Sequence, residues 1–304
     1  MSWDLKDIPN QTGRLVLVTG ANSGLGFETC KALIKKNATV ILGCRSLEKA
    51  QIARNELLRE NEAPKVDLLE IDLADLRAVN LAADQLRSKY GYLDILINNA
   101  GIMAPPRNLS KQGLEIQFAV NHLAHMALTN KLLPLLAKRS GARVVTVTSG
   151  AQYMGKIAWD DLQGEENYDR WASYSQSKLA NVMFAFELEN RLRETKSQVA
   201  SLLAHPGLAR TNLQATSISE SGSWLEAFAY KLLDPMFQTA RMGALPQLLA
   251  ATSQNAKGGE QYGPRFNLRG YPKVCPLAPI ALESRERKRL WEVSEKLISF
   301  YSVK

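Results

Sequence analysis

The 304 residues are 45% hydrophobic and 22% charged, a balance that excludes a disordered, collagen-like or mucin-like chain. Lysine and arginine total 38 against 30 aspartates and glutamates, so the formal net charge is +8, with most of the excess from Arg241 onward. That charge suits anionic ligands, but the basic residues are not interleaved with aromatics and no zinc-finger, KH or RNP pattern occurs, which argues against nucleic acid as a partner.

In chain order, the first apolar run is Leu15 to Thr19, short, β-branched and closed by a glycine cluster. A helical pattern follows over residues 25–36, with Asn37 as a left-handed stop. Residues 39–42 read as a second strand and 47–61 as a charged helix, before Pro64 breaks the chain. Residues 66–71, 93–98, 143–148 and 199–204 supply strands three to six. Between them the periodicity predicts helices over 76–90, 113–138 and 172–193. Strands separated by helices of this length imply βαβ units, hence an α/β, doubly wound, Rossmann-like parallel sheet with helices on both faces. No repeat or long linker interrupts it, so a single domain over 1–304 is expected, with 14–211 as its cofactor and catalytic core. After Thr211 the alternation fails. Residues 212–240 are apolar and aromatic, with Trp224, Leu225, Phe228, Tyr230, Leu232, Leu233 and Phe237. They are expected to form a substrate lid, with core packing or contact with a membrane surface as the other readings. Residues 241–304 form a C-terminal region, where the run Arg285–Arg289 reads as the solvated face of a helix docked through Leu290 and Trp291.

Directly after the first strand stands Thr19-Gly20-Ala21-Asn22-Ser23-Gly24-Leu25-Gly26. A glycine-rich turn lets the backbone approach a pyrophosphate, and the N-terminus of the helix it opens supplies N–H donors. Three glycines also suit a plain tight loop; it is their place between strand and helix that points to a dinucleotide. At the end of the second strand the chain reads Gly43-Cys44-Arg45-Ser46, without the carboxylate that would hold the ribose hydroxyls of NAD. Arg45 offers a planar fork for a 2′-phosphate, so NADP (NADPH) is the expected cofactor. Asp72, followed by Leu73, ends the third strand as a candidate partner of the adenine amino group, or else as a cap of the next turn.

Tyr174 and Lys178 stand at i and i+4 on the most periodic helix, with phenol and ammonium on one face. A free tyrosine, with a pKa of about 10, is no base near neutrality. A lysine cation about 4 Å away, at an effective dielectric near 20, contributes about 4 kcal/mol, or about three pKa units. Ser149 ends the fifth strand, where the carboxyl ends of parallel strands face a ligand crevice, and its hydroxyl can hold a carbonyl for protonation. Asn98, Asn99, Ala100 and Gly101 end the fourth strand in the same crevice. Asn121 falls within a helix, a poor position for an amide, which suggests either a locally bonded side chain or a kink with a bound water.

Taken together these pieces resemble the short-chain dehydrogenase/reductase family from Arg14 to about Thr211. The resemblance rests on Thr19-Gly20-x3-Gly24-x-Gly26, Asn98-Asn99-Ala100-Gly101, Asn121, Ser149, Tyr174-x3-Lys178, and Pro206-Gly207 with Thr211. Val120-Asn121-His122-Leu123 and the long interval from Ser149 to Tyr174 resemble the retinol dehydrogenase-like branch, in its soluble, bacterial-type form. The resemblance implies Tyr174 as general acid/base and Lys178 as the residue that lowers its pKa and binds the nicotinamide ribose. It implies Ser149 as the carbonyl anchor, Asn121 as the holder of a relay water, and Pro206, Gly207 and Thr211 as nicotinamide-side contacts. An NADP-dependent oxidoreductase is therefore expected, acting on a small apolar alcohol, aldehyde or ketone. Carbon–carbon double-bond reduction and a sensor without turnover are the alternatives. Relatives often pair through the helices carrying Asn121 and Tyr174, so a homo-oligomer is open by analogy.

Other features lead elsewhere. His122 and His125 have metal-like spacing but no third ligand nearby, and no metal is expected. His205 precedes Pro206 and is expected to meet the cofactor through its backbone. Cys30, Cys44 and Cys275 are few and odd in number, which fits a reducing compartment. Residues 1–12 lack the layout of a secretory signal and no window approaches a membrane span, so a cytoplasmic setting is expected.

Overall fold

The computed structural model describes residues 2–59, 65–210 and 237–302. Strands β1 (Leu15–Thr19), β2 (Thr39–Cys44), β3 (Lys65–Glu70), β4 (Ile95–Asn98), β5 (Arg143–Val147) and β6 (Ala200–Ala204) lie close to the predicted runs. The central strands are almost continuously apolar because helices cover both faces of the sheet. The helices between them are α1 (Gly24–Ile34), α2 (Leu47–Arg59), α3 (Leu76–Lys89), α4 (Ile116–Phe118), α5 (Ala124–Leu136) and α6 (Arg170–Glu194). Side chains set several boundaries. Asp75 accepts from the Arg77 amide at 2.9 Å to open α3, and Asp169 accepts from the Ala172 amide at 2.6 Å to open α6. Asn37 takes φ +70° after α1, as its sequence position suggested.

Two expectations change here. The helix predicted over 113–138 is α4, then a π-helical turn at Ala119–Leu123, then α5. A π turn carries one residue more than an α turn, a feature frequent at functional sites. The alternation expected to fail after residue 211 resumes in α7 (Ala240–Thr252), β7 (Gln261–Pro264) and β8 (Pro272–Cys275). Those four-residue strands, carrying Gly263, Pro264 and Pro272, are too short and too broken to show a period. The sheet runs β3-β2-β1-β4-β5-β6-β7-β8, parallel except where β8 pairs antiparallel to β7. Of the expected lid, residues 212–236 lie outside the described residues, as does Thr211.

Alternate residues of β1 feed two cores. Leu15 and Leu17 face the side of α3, α5 and α6, while Val16 and Val18 face α1, α2 and α7. The last helix, α8 (Ser284–Ser302), packs over α6: Trp291 stacks on Phe184 at 5.8 Å, and Ser294 meets His122 Nε2 at 2.8 Å. Leu290 and Trp291 are buried as expected. The run Arg285–Arg289 is not wholly solvated, however. Arg287 is buried, 3.5 Å from Glu187 Oε2, and donates to the Ala281 carbonyl. A buried guanidinium needs such partners, and α8 gains a specific seat through them.

Candidate active site

The carboxyl ends of β4, β5 and β6, with Leu25 at the start of α1, surround a cavity of about 580 Å³, the usual place for a ligand in an open parallel sheet. On its β1 side, Gly20 and Gly24 take φ of +66° and +55°, which glycine adopts without strain. Asn22 and Ser23 complete the turn, with Ser23 as the N-cap residue of α1. A Cβ on Gly26 would stand 2.3 Å from the Gly20 carbonyl oxygen and 2.7 Å from Asn99 Nδ2. No side chain fits between this turn and the end of β4.

Asn99 is held rather than free. Its Nδ2 donates to the Thr19 carbonyl at 2.8 Å, and the amides of Asn99 and Ala100 both donate to Thr19 Oγ1 at 3.0 Å. From α7, Gln247 Nε2 donates to Asn99 Oδ1 at 3.2 Å. The partly buried helix start and its close-packed glycines therefore fit a dinucleotide pyrophosphate.

Tyr174 and Lys178 leave α6 on the cavity side, both buried, with Nζ 5.7 Å from the phenol ring centroid. Nζ also lies 3.1 Å from where a Cβ on Gly101 would stand, so that glycine keeps the approach to the ammonium open. Burial pulls the Lys178 pKa down to about 8, which leaves the side chain mainly cationic at neutral pH. Ser149 lines the same cavity and accepts from the Ala151 amide at 3.3 Å, as N-cap of a 3₁₀ turn. Next to it, Thr148 Oγ1 donates to the Lys178 carbonyl at 2.8 Å, tying β5 to α6.

Asn121 lies behind this wall, in the π turn. Its Oδ1 accepts from the Ile102 amide at 2.8 Å, and its Nδ2 donates to the Ile102 carbonyl at 3.0 Å and to Ser177 Oγ at 2.9 Å. Ser177 Oγ donates in turn to the Tyr174 carbonyl at 2.8 Å. The amide is thus engaged with protein atoms and clamps the segment after β4 to the Tyr174 turn of α6.

Pro206 and Gly207 line the cavity beyond β6, and a Cβ on Gly207 would meet the Leu268 carbonyl oxygen at 2.3 Å. Arg45, exposed, and Asp72, partly buried, stand outside the cavity at the adjoining ends of β2 and β3. Asp72 Oδ1 accepts from the Ala74 amide at 3.0 Å, the turn-capping bond open to it from sequence, and Leu73 beside it is buried. The rest of the wall is largely apolar, including Met103, Met154, Trp171, Leu208 and Phe237.

The histidines divide by partner. His122 meets Ser294, and His125 meets Thr19 at 2.9 Å. Among the described residues, no group of three metal-ligating side chains occurs. The His205 ring fills the space above Gly263, and burial pulls its pKa down to about 4, so it is neutral. Sequence reasoning had not singled out Thr19, Ser177 or Gln247 as supports. The first two sit inside recognisable motifs, whereas Gln247 carries no local signal.

The short chain dehydrogenase family model matches residues 14–222. Retinol dehydrogenase 14 of Homo sapiens is 36% identical over 305 residues, covering 94% of this chain and 86% of its own length. A short-chain dehydrogenase/reductase of Armillaria gallica is 41% identical over 262 residues, covering 84% and 81%. A protein of Mycobacterium paratuberculosis, 38% identical, superposes with a TM-score of 0.82 over 98% of both chains. A short chain dehydrogenase from Shigella flexneri, solved in complex with NADP, shares the fold with a TM-score of 0.63 at 23% identity, covering 84% of this chain and 98% of its own. Both the family match and the length of these alignments carry the same conclusion: the chain belongs to the short-chain dehydrogenase family of oxidoreductases, in its retinol dehydrogenase-like branch.

Proposed function

We propose that the protein is an NADP-dependent oxidoreductase that interconverts an apolar alcohol and its aldehyde or ketone, with a retinoid-, steroid- or lipid-like substrate. The observation that carries this reading is the meeting of Tyr174, Lys178 and Ser149 in one cavity whose remaining wall is largely apolar. Few polar groups in an apolar wall orient a substrate at one end and leave its body unpaired. The names of the retinol dehydrogenase relatives support the same substrate class.

In this reading the chain works as a single domain, and the turn from Gly20 to Gly26 would hold the cofactor's pyrophosphate. Arg45 would take the 2′-phosphate, and Asp72 and Leu73 the adenine. Asn99, Ala100, Gly101, Pro206, Gly207 and Thr211 would border the nicotinamide half. When bound, the cofactor supplies the hydride. Ser149 orients the carbonyl oxygen, and Tyr174 gives that oxygen its proton as negative charge develops there. The Lys178 cation favours the phenolate and so makes the phenol a stronger acid. Asn121 keeps the lysine side of the site in register and would hold the relay water there. Neighbours of the same fold solved with NADP or NADPH support the choice of cofactor. The three unpaired, buried cysteines support a reducing, cytoplasmic setting, and among the described residues no helix is long and apolar enough to cross a membrane.

A panel of carbonyl compounds with NADPH tests the reading. Long apolar aldehydes and ketones are expected to be reduced faster than polar sugars, and an enone is expected to give the allylic alcohol. Tight NADPH binding without turnover of any carbonyl would overturn it, and a saturated ketone as product would make the enzyme a double-bond reductase. Arg45→Asp is expected to lower the NADP-to-NAD ratio of kcat/KM by about 10²-fold, because it removes a charge-assisted fork and adds like charge. An unchanged ratio removes Arg45 from cofactor selection.

α8 lies across α6 and contacts the π turn, on the helices through which pairing was expected by analogy. The protein is therefore expected to run as one chain in light scattering, and a stable dimer would place the pairing surface elsewhere.

A further inference from the structure

One buried titratable group lies between two parts of the site without lining the cavity. His125 is one helical turn beyond Asn121, so its ring stands over that residue's backbone. Nδ1 lies 3.1 Å from the Asn121 carbonyl oxygen, and Nε2 lies 2.9 Å from Thr19 Oγ1. His125, Asn121 and Thr19 are all completely buried.

The direction of each bond follows from what each atom can do. A carbonyl oxygen only accepts, so Nδ1 carries the ring proton. Thr19 Oγ1 already accepts from the amides of Asn99 and Ala100, which fills its two lone pairs. Its own proton goes to Nε2 at 2.9 Å in preference to the Ile97 carbonyl at 3.4 Å. A second ring proton at Nε2 would find no acceptor there. Burial acts in the same sense, with the Lys178 charge adding to it, and the pKa falls to about 4.

We infer that His125, as its Nδ1–H tautomer, is a positioning residue that ties the Asn121 turn to the cofactor-side end of β4. This rests on the reading of Tyr174, Lys178 and Asn121 as the catalytic group. The bonds form one line: Asn99 and Ala100 to Thr19, Thr19 to His125, His125 to Asn121, Asn121 to Ser177, Ser177 to the Tyr174 backbone. The ring is a direct link between the dinucleotide turn and the Asn121 turn, beside the route from Asn99 along the chain to Ile102 and the Asn121 side chain. Loosening it lets the phenol and ammonium shift against Gly101, and a displacement of about 1 Å can cost about 10²-fold in rate.

The test begins with the tautomer. In ¹⁵N spectra of the full chain, assigned by the signal lost in His125→Asn, the ring is expected to carry its proton on Nδ1. His125→Phe, which removes both bonds, is expected to lower kcat by about 10²-fold while KM for the carbonyl changes by less than about threefold. His125→Asn keeps a donor near the Asn121 carbonyl but not the bond to Thr19, and is expected to recover part of that loss. A merely structural ring would not give this donor-dependent split between kcat and KM. An Nε2–H tautomer, wild-type kcat in His125→Phe, or no recovery in His125→Asn overturns the inference. If His125→Phe does not fold, the tautomer and the Asn variant still decide. Tyr174→Phe separates the two levels: an active Tyr174→Phe overturns the catalytic reading, whereas an inactive one beside a fully active His125→Phe overturns only the role of His125.

Discussion

Tyr174→Phe is expected to lower kcat by about 10³-fold with any carbonyl the protein reduces, the range of a lost general acid. Only the hydroxyl is removed. The ring keeps its edge contact with Trp171, at 6.3 Å between centroids, and its place 5.7 Å from Lys178 Nζ. Cofactor contacts assigned to the Gly20–Gly26 turn, Arg45 and Lys178 are untouched, so NADPH affinity is expected to stay within about tenfold, since a peripheral neutral bond contributes about 0.5–1.5 kcal/mol. Absorbance assays of NADPH oxidation measure the first quantity and fluorescence titration the second. Turnover at the wild-type rate would remove Tyr174 from its proposed role. Loss of both turnover and NADPH binding would mean that the phenol holds the site together instead.

Lys178→Met is expected to do two opposite things: it abolishes turnover and stabilises the protein at neutral pH. The lysine's pKa falls from 10.5 to about 8 because its ammonium is buried. Between those values the unfolded chain binds more protons than the folded one, so stability rises with pH across that window. Below pH 8 the buried charge imposes its full cost, about 3 kcal/mol from the size of the shift. Methionine fills a similar volume without a charge and relieves that cost. Thermal unfolding of the apoprotein at pH 7 should give a Tm several degrees above wild type, with the gap narrowing as pH approaches 10.5. A Lys178→Met protein that is less stable than wild type at pH 7 would show that the ammonium is well paired in the fold, and the cost argument would fail. A destabilising cation kept in a cavity wall is the expected mark of a residue retained for chemistry.

Much of the fold was legible because its signals are local. Strands β1, β2 and β4 to β6 are short, largely apolar runs bounded by glycine, proline or charged helices, and covering both faces of a parallel sheet requires that composition. β7 and β8 left no such trace. They exist as strands because β6 offers an edge to β7 and β7 offers one to β8, not because four residues carry a period. The π turn was equally hidden: a sequence of apolar and polar residues reads the same with one residue more per turn. Asn121 at a poor helical position was its one outward sign.

For the site, the chain alone determined the turn from Thr19 to Gly26, the Tyr174–Lys178 spacing and the placing of Ser149 at a strand end. Backbone freedom, helical periodicity and strand polarity act over a few residues and can be read directly. Only the tertiary structure decided what holds these groups in place. Thr19 meets Asn99 80 residues away and His125 106 residues away, and Gln247 reaches Asn99 across 148 residues. Such bonds form when the sheet brings distant strand ends and helices together, and each is selected because a buried polar atom must find a partner out of reach of water.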